Sequence, residues 1–279
     1  MTTKPTLVLG GTGKTGRRVV ERLGARGIST RVGSRSGEPP FDWEHQATWA
    51  RALDGVRSVY VSHYLDALPG AAAAVGSFAE LAVKSGIPRL VLLSGRGEEE
   101  AERVEQAVRD SGAELTILRS TWFAQNFSEN YWLEEILSGE LALPAGEMPE
   151  PFVDADDIAD VAVAALTDDR HIGQVYELTG PRLLTFADAV NEIGQAAGRE
   201  IRYVPVSLED YAAAAAQQGV PGDVIALLTY LFTEVLDGRN AHLADGVQRA
   251  LGREPRDFSD YARDAAATGV WTPRATRAA

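Results

Sequence analysis

Residues 6–23, TLVLGGTGKTGRRVVERL, constrain this chain more than any other segment. A short apolar run breaks into glycines and reopens as an amphipathic stretch, the pattern of a buried strand, a tight turn and a helix. Gly11, Gly13 and Gly16 satisfy the G-x-G-x-x-G spacing, and Gly10, Gly13 and Gly16 satisfy its three-residue variant. Glycine permits the tight turn and the close approach of a phosphate. The helix start supplies unpaired N–H groups and a favourable dipole. Gly10, Gly11, Thr12, Gly13, Lys14 and Thr15 are therefore candidate phosphate contacts. Gly13-Lys14-Thr15 imitates the end of a P-loop, but the glycine that motif needs five residues before Gly13 is replaced by Val8, inside the strand. Such a loop is too short to wrap a triphosphate, which argues against a kinase or ATPase.

The same alternation continues downstream. Segments 6–9, 29–32, 58–61, 89–93 and 115–118 read as buried strands, and 17–26, 71–84 and 98–110 as amphipathic helices. Strand and helix taking turns over about 120 residues predict an α/β fold, a doubly wound parallel sheet of the Rossmann type. After Arg119 the rhythm changes. Segment 122–137 reads as one helix, followed by a polar loop through Pro144 and Pro149, with short strands at 152–153 and 175–178. Asp154 offers an N-cap for a helix to about Leu166. Beyond Thr185 helices dominate, with one strand at 201–206, an alanine-rich helix at 211–218 and an apolar helix at 225–232 suited to core or subunit packing. The expected division is a nucleotide-binding domain over 1–180 and a smaller, mostly helical subdomain over 181–279 covering a substrate cleft.

Composition removes several classes. A formal charge of −13 disfavours nucleic-acid binding, which needs clustered Lys and Arg. No apolar run approaches the roughly eighteen residues of a membrane span. The absence of cysteine excludes disulfides and thiolate metal sites. His45, His63, His171 and His242 have no metal-ligand spacing, so no metal is expected. With no leader-like start, the expectation is a cytoplasmic protein, monomer or homodimer, acting on a small molecule.

The second strand points to the nucleotide. An NAD-binding fold carries an acid at the end of that strand, about twenty residues after the glycines, for the ribose hydroxyls. Here the run is Val32-Gly33-Ser34-Arg35-Ser36, with no acid until Glu38. The Ser34 hydroxyl and the forked Arg35 cation suit a 2′-phosphate, and so NADP(H). Three further segments belong at the ligand-facing edge of the sheet: Ser62, His63 and Tyr64; Ser94, Gly95 and Arg96; Trp122, Phe123 and Asn126. Ser62, Ser94 and Gly95 are candidate cofactor contacts. His63, Tyr64, Arg96, Trp122, Phe123 and Asn126 are candidate substrate contacts, with ordinary packing an equal alternative for the aromatic ones. Conventional short-chain dehydrogenases place a lysine four residues after a catalytic tyrosine. None of the eight tyrosines has one, and the only lysines are Lys4, Lys14 and Lys84. The catalytic residues are unassigned.

The segments GGTGKTGRR, VGSRSGEPPFDWE, LVLLSGRGEEEAERVEQAVRDSG and LTILRSTWFAQNFSE resemble the NmrA-like, atypical branch of short-chain dehydrogenases. Within it the chain is similar to bacterial relatives of the festuclavine synthase type of ergot-alkaloid reductase, and more distantly to triphenylmethane and quinone reductases. The resemblance runs on through PFVDADDIADVA, QVYELTGPRLLTFADAV and IRYVPVS. It implies an NADP(H)-binding Rossmann fold, with Gly10, Thr12, Gly13, Lys14 and Thr15 at the phosphates and Arg35 at the adenosine phosphate. The missing Tyr–Lys pair is usual in this branch. The expected activity is NADPH-dependent hydride transfer to a small electron-poor acceptor, such as an iminium, a quinone-like compound or an enone. The alternative is a non-catalytic NADP(H) sensor that acts through a protein partner.

Overall fold

The chain was analysed as a computed structural model describing residues 4–63, 70–129 and 132–273. In chain order the first half runs β1 (Thr6–Leu9), α1 (Lys14–Ala25), β2 (Thr30–Gly33), α2 (Trp49–Leu53), β3 (Ser58–Val61), α3 (Ala71–Lys84), β4 (Arg89–Gly95), α4 (Glu99–Asp110) and β5 (Glu114–Ser120). There follow α5 (Trp132–Ser138), β6 (Glu140–Leu143), α6 (Ala155–Thr167), β7 (Val175–Leu178), α7 (Phe186–Ala197) and β8 (Arg202–Pro205). The last helices are α8 (Leu208–Gln217), α9 (Gly222–Tyr230), α10 (Gly246–Leu251) and α11 (Phe258–Ala267).

Contacts divide the chain into two compact units, 1–120 with 155–178 and 244–254, and 121–154 with 179–243 and 255–279. This differs from a single boundary at residue 180. The chain leaves the first unit after β5, returns as α6 and β7, and returns again as α10, so no one cut separates the two cores.

The first unit is a six-stranded parallel sheet in the order β2-β1-β3-β4-β5-β7. All four residues of β1 and of β3 are buried, which is why these strands read as unbroken apolar runs. Helix α1 buries Thr15, Gly16, Val19 and Leu23 and turns Arg18 and Arg22 toward α6. Arg18 pairs with Asp156 at 3.0 Å, and Arg22 with Asp156 at 2.7 Å and Asp160 at 2.6 Å. The Asp-rich start of α6 is thus a partner for the arginines of α1. Around α2 and α3, Phe41, Trp43, Trp49 and Phe78 cluster, Phe78 meeting the other three edge to face, with Phe41 and Phe78 centroids 5.5 Å apart. The strand order reverses between β1 and β3, and ligands bind in such sheets at that crevice, beyond the carboxyl ends of the strands.

The second unit holds a two-stranded parallel sheet, β6 with β8, against α5, α7 and α8, with α11 packed on α7. Its core is aromatic: Phe127, Trp132, Phe152, Phe186, Phe258 and Trp271 cluster together. Full burial of a ring such as Phe186 contributes about 1.5–3 kcal/mol. Helix α7 is opened by a reciprocal cap between Thr185 and Asp188. The Trp271 ring N–H donates to the Phe127 carbonyl at 2.9 Å and ties down the chain end of the described region.

The structure departs from four local expectations. Segment 122–137 is not one helix. Phe123 bridges Val153, with the Val153 N–H donating to the Trp122 carbonyl and the Ala124 N–H to Val153, both at 2.9 Å. Those bonds hold Phe123 extended, a single helical turn follows at Ala124–Phe127, and α5 begins only at Trp132. That bridge is also all the strand pairing that 152–153 makes. The expected polar loop before Pro144 is instead β6, whose ELAL sequence buries Leu141 and Leu143 on alternate positions. The apolar segment 225–232 divides into α9, none of whose residues is buried, and a wide turn at Leu231–Val235 that buries Phe232 and Val235.

Candidate nucleotide-binding site

The glycine loop joins β1 to α1 at the crevice. Gly10 has φ +63°, a left-handed conformation that disfavours any side chain, and its N–H donates to the Gly33 carbonyl at 3.1 Å. A Cβ on Gly16 would lie 2.2 Å from the Gly10 carbonyl oxygen, so close packing of helix on loop requires glycine there. Gly13 is different. Its backbone is extended (φ −82°, ψ −177°) and it is exposed; an added Cβ would meet only the Gly10 oxygen, at 3.2 Å. Gly16 serves the fold, whereas Gly13 keeps the outer face of the turn open.

Helix α1 begins without a side-chain cap and without an acidic residue in its first turn. Its first amide with a helical acceptor is that of Arg17, which donates to the Gly13 carbonyl at 3.1 Å. The Gly13 N–H turns back to the Gly10 carbonyl at 2.8 Å, and a helix start with no side-chain cap and no acid in its first turn is a place that favours an anion. Thr12 and Gly13 are exposed there and Lys14 is half-buried. Thr15 is turned inward: it is 5% exposed, and its hydroxyl accepts from the buried Tyr60 at 3.0 Å. Its side chain therefore locks α1 onto β3, and only its backbone faces the loop. Tyr60 was missed in the sequence because it lies within an apolar strand with nothing to mark its hydroxyl.

Ser34 and Arg35 follow β2 directly. The Ser34 carbonyl accepts from Gly37 at 3.0 Å and Phe41 at 2.9 Å, folding residues 34–41 into a compact turn. Arg35 is exposed and makes no side-chain hydrogen bond or ion pair to the described residues. Nearby, the Asp42 carboxyl is held below the usual carboxylate range, chiefly by the Glu44 N–H, then by His45 and Arg35. Ser62 lies beside the loop, where a Cβ on Gly10 would be 3.7 Å from its side chain. His63 is half-buried with its ring 4.9 Å from Trp43. Tyr64 lies outside the described residues.

The turn after β4 is built otherwise. Ser94 is 3% exposed and donates to Glu105 Oε1 at 2.8 Å. Glu105 is fully buried on α4 and also takes Arg119 Nε at 2.8 Å and Nη2 at 2.7 Å. Arg96 is 3% exposed and its Nε donates to Glu177 at 3.0 Å. The place a Cβ on Gly95 would occupy is filled by the Glu98 carboxylate, 2.1 Å away at its nearer oxygen. As contacts for a phosphate or a substrate, Ser94, Gly95 and Arg96 are thus already engaged within the fold, and the local charge beside Gly95 is negative.

Trp122, Phe123 and Asn126 belong to the second unit. The Trp122 ring stacks on Trp132 at 5.7 Å and packs on Phe186 at 5.6 Å and Phe232 at 5.3 Å. Phe123 and Asn126 are half-buried. Among the described residues no group of three or more His, Asp or Glu is arranged to hold a metal ion, and no helix is long and apolar enough to cross a membrane.

Glycine loop, uncapped helix and open Arg35 fit a dinucleotide phosphate group, and the relatives of this chain agree in kind. An uncharacterized oxidoreductase of Bacillus subtilis is 32% identical over 98% of this chain and 99% of its own. An NAD(P)H azoreductase of Xenophilus azovorans is 30% identical over 94% of this chain and 98% of its own. The solved structure of an NADPH-dependent quinone oxidoreductase from Escherichia coli, complexed with NADPH, is similar in fold, with a TM-score of 0.73 at 21% identity over 93% of this chain and 99% of that one. Residues 99–262 match the model of the NmrA-like family, and with relatives of this identity along nearly its whole length, the chain belongs to that family.

Proposed function

We propose that this protein is an NADPH-dependent reductase that delivers a hydride to a small electron-poor acceptor of the iminium, quinone-like or enone kind. The observation that carries the reading is the first βα turn, with its uncapped α1, exposed Gly13 and open Arg35. The azoreductase and the quinone oxidoreductase support the reaction class. In this reading the loop 10–15 and the amides of the α1 start hold the pyrophosphate, and Ser34 and Arg35 hold the 2′-phosphate. Bound NADPH supplies the hydride. Tyr60 holds Thr15, and with it the first turn of α1, in register with β3.

No tyrosine is followed four residues later by lysine, so no such pair is present to protonate a developing oxyanion. An acceptor that is already activated needs no such acid. Turnover of a permanently cationic acceptor should then be nearly independent of pH between about 6 and 9. Stopped-flow measurement of NADPH oxidation across that range tests this. A steep bell-shaped profile would point to a general acid, with His63 the first to replace. Tight NADPH binding without turnover of any iminium, quinone or enone would replace the reductase reading with that of a sensor.

A further inference from the structure

The second unit contains a cavity of about 370 Å³, walled by α5, β6, α8 and α9 and lined entirely by residues of that unit. This volume is that of a small organic ligand. Its wall combines two aromatic rings, Trp132 and Tyr211, with small aliphatic side chains and three carboxylates, Glu135, Glu140 and Asp210. No lysine, arginine or histidine is among the lining residues.

The three carboxylates are not equivalent. Asp210 accepts from the Ser207 hydroxyl at 2.7 Å as part of the α8 cap. Glu140 pairs with the exposed Arg202. Glu135 is half-buried, and among the described residues its carboxylate accepts only the Ala142 N–H, at 3.3 Å. Burial pushes the Glu135 carboxyl above its usual range, the Ala142 N–H opposes this, and Glu140 adds to the rise. Of the three, Glu135 stands to gain most from an incoming positive charge. Beside it, the Trp132 ring stacks on Trp122 at 5.7 Å, and Tyr211 packs edge-on against Phe232 at 5.5 Å. Both rings are thereby held in place.

We infer that this cavity binds an organic cation, an alkylammonium with an apolar body, through the Glu135 carboxylate and the Tyr211 ring, with the buried Trp132 at its wall as reporter. An anion would meet three carboxylates and no counter-charge. A neutral apolar ligand would give the Glu135 carboxylate no counter-charge. A metal ion is not served, because no three ligands converge among the described residues. An alkylammonium satisfies the carboxylate, is attracted to the Tyr211 ring and fills the aliphatic remainder.

The test uses the full-length protein without nucleotide or acceptor, so its outcome does not depend on the reductase reading. Choline and its neutral carbon isostere, 3,3-dimethylbutan-1-ol, are titrated by calorimetry and by intrinsic tryptophan fluorescence. Choline should bind about tenfold more tightly than the isostere, and Glu135→Gln should remove most of that difference. Trp132→Phe should abolish the choline-dependent fluorescence change while calorimetric binding persists. Glu135→Gln keeps an acceptor for the Ala142 N–H, and its folding is checked by its thermal transition. Equal binding of choline and the isostere, an unchanged choline affinity in folded Glu135→Gln, or no binding of choline at millimolar concentration would each overturn the inference.

Discussion

Two turns of one sheet, β1 into α1 and β4 into α4, start from similar glycine-containing sequences and are built for opposite ends. At the first, α1 has no acid in its opening turn, no side-chain cap and an exposed Gly13. At the second, α4 opens with Glu99, Glu100 and Glu102, the Glu98 carboxylate covers Gly95, and Ser94 is taken up by buried Glu105. A helix start is an electropositive point wherever it occurs. In the fourth turn the protein supplies the negative charge from its own sequence, and in the first no acid stands at the helix start. A glycine next to a helix is therefore weak evidence of phosphate binding until the anions already present have been located.

The largest effect should come from dismantling the fourth turn. Glu105→Ala leaves Arg119 and Ser94 without their shared partner, and losing one member of such a buried pair costs about 3–5 kcal/mol. Arg119 retains some access to water, which places the expected loss near the lower end of that range. Chemical denaturation should show it, with NADPH affinity in the folded fraction nearly unchanged. A large fall in affinity with little loss of stability would mean that the fourth turn serves the nucleotide after all.

Gly13→Asp converts the first turn toward the second. Its extended backbone suits an N-cap aspartate, so the thermal transition should hold or rise, while a carboxylate in the phosphate's place should weaken NADPH by about a hundredfold or more. Calorimetry on the folded variant measures both. Retained affinity would remove the loop from the site.

Arg35→Ala removes one charge-assisted contact, worth roughly 1.5–3 kcal/mol, about ten- to a hundredfold in affinity for NADPH. NADH, lacking the 2′-phosphate, should bind the variant and the parent alike. Equal weakening of both nucleotides would show that Arg35 does not read that phosphate.

The smallest effect belongs to Glu98→Gln. Neutralising the carboxylate over Gly95 removes a helix-start interaction of about 0.3–1 kcal/mol, so the melting temperature should fall by only a few degrees. A change in nucleotide affinity beyond about threefold would mean that the charge at this turn is felt by the bound nucleotide.

Much of the first unit was legible in the chain itself. Strands β1 and β3 fall where the apolar runs place them, because burial on both faces of a parallel sheet leaves only an apolar sequence free of cost; helix α3 and the edge strand β7, buried on alternate residues, also fall at the expected bounds. The glycine loop was legible for a local reason: its conformation depends on what the residues within it lack, above all at Gly10 and Gly16. The second unit was harder. Its chain pieces come from three separated stretches, and short elements such as β6 and the Phe123–Val153 bridge gain stability only from partners far along the sequence.

Local pattern thus settles the class of the fold and the conformation of the glycine loop, since each follows from contacts within a few residues or from the period of apolar side chains. Which polar residues remain available to a ligand is decided by folding. Thr15 and Ser94 are both hydroxyls near the carboxyl ends of strands, yet Tyr60 turns the first inward and Glu105 the second. Arg35 and Arg96 are both arginines just past a strand, yet among the described residues Arg35 makes no ion pair whereas Arg96 pairs with Glu177 on β7, brought alongside by a strand 81 residues away in sequence. A side chain's partner is a property of three-dimensional neighbours, and an unpaired charge in water differs from a paired, buried one in what it can still bind.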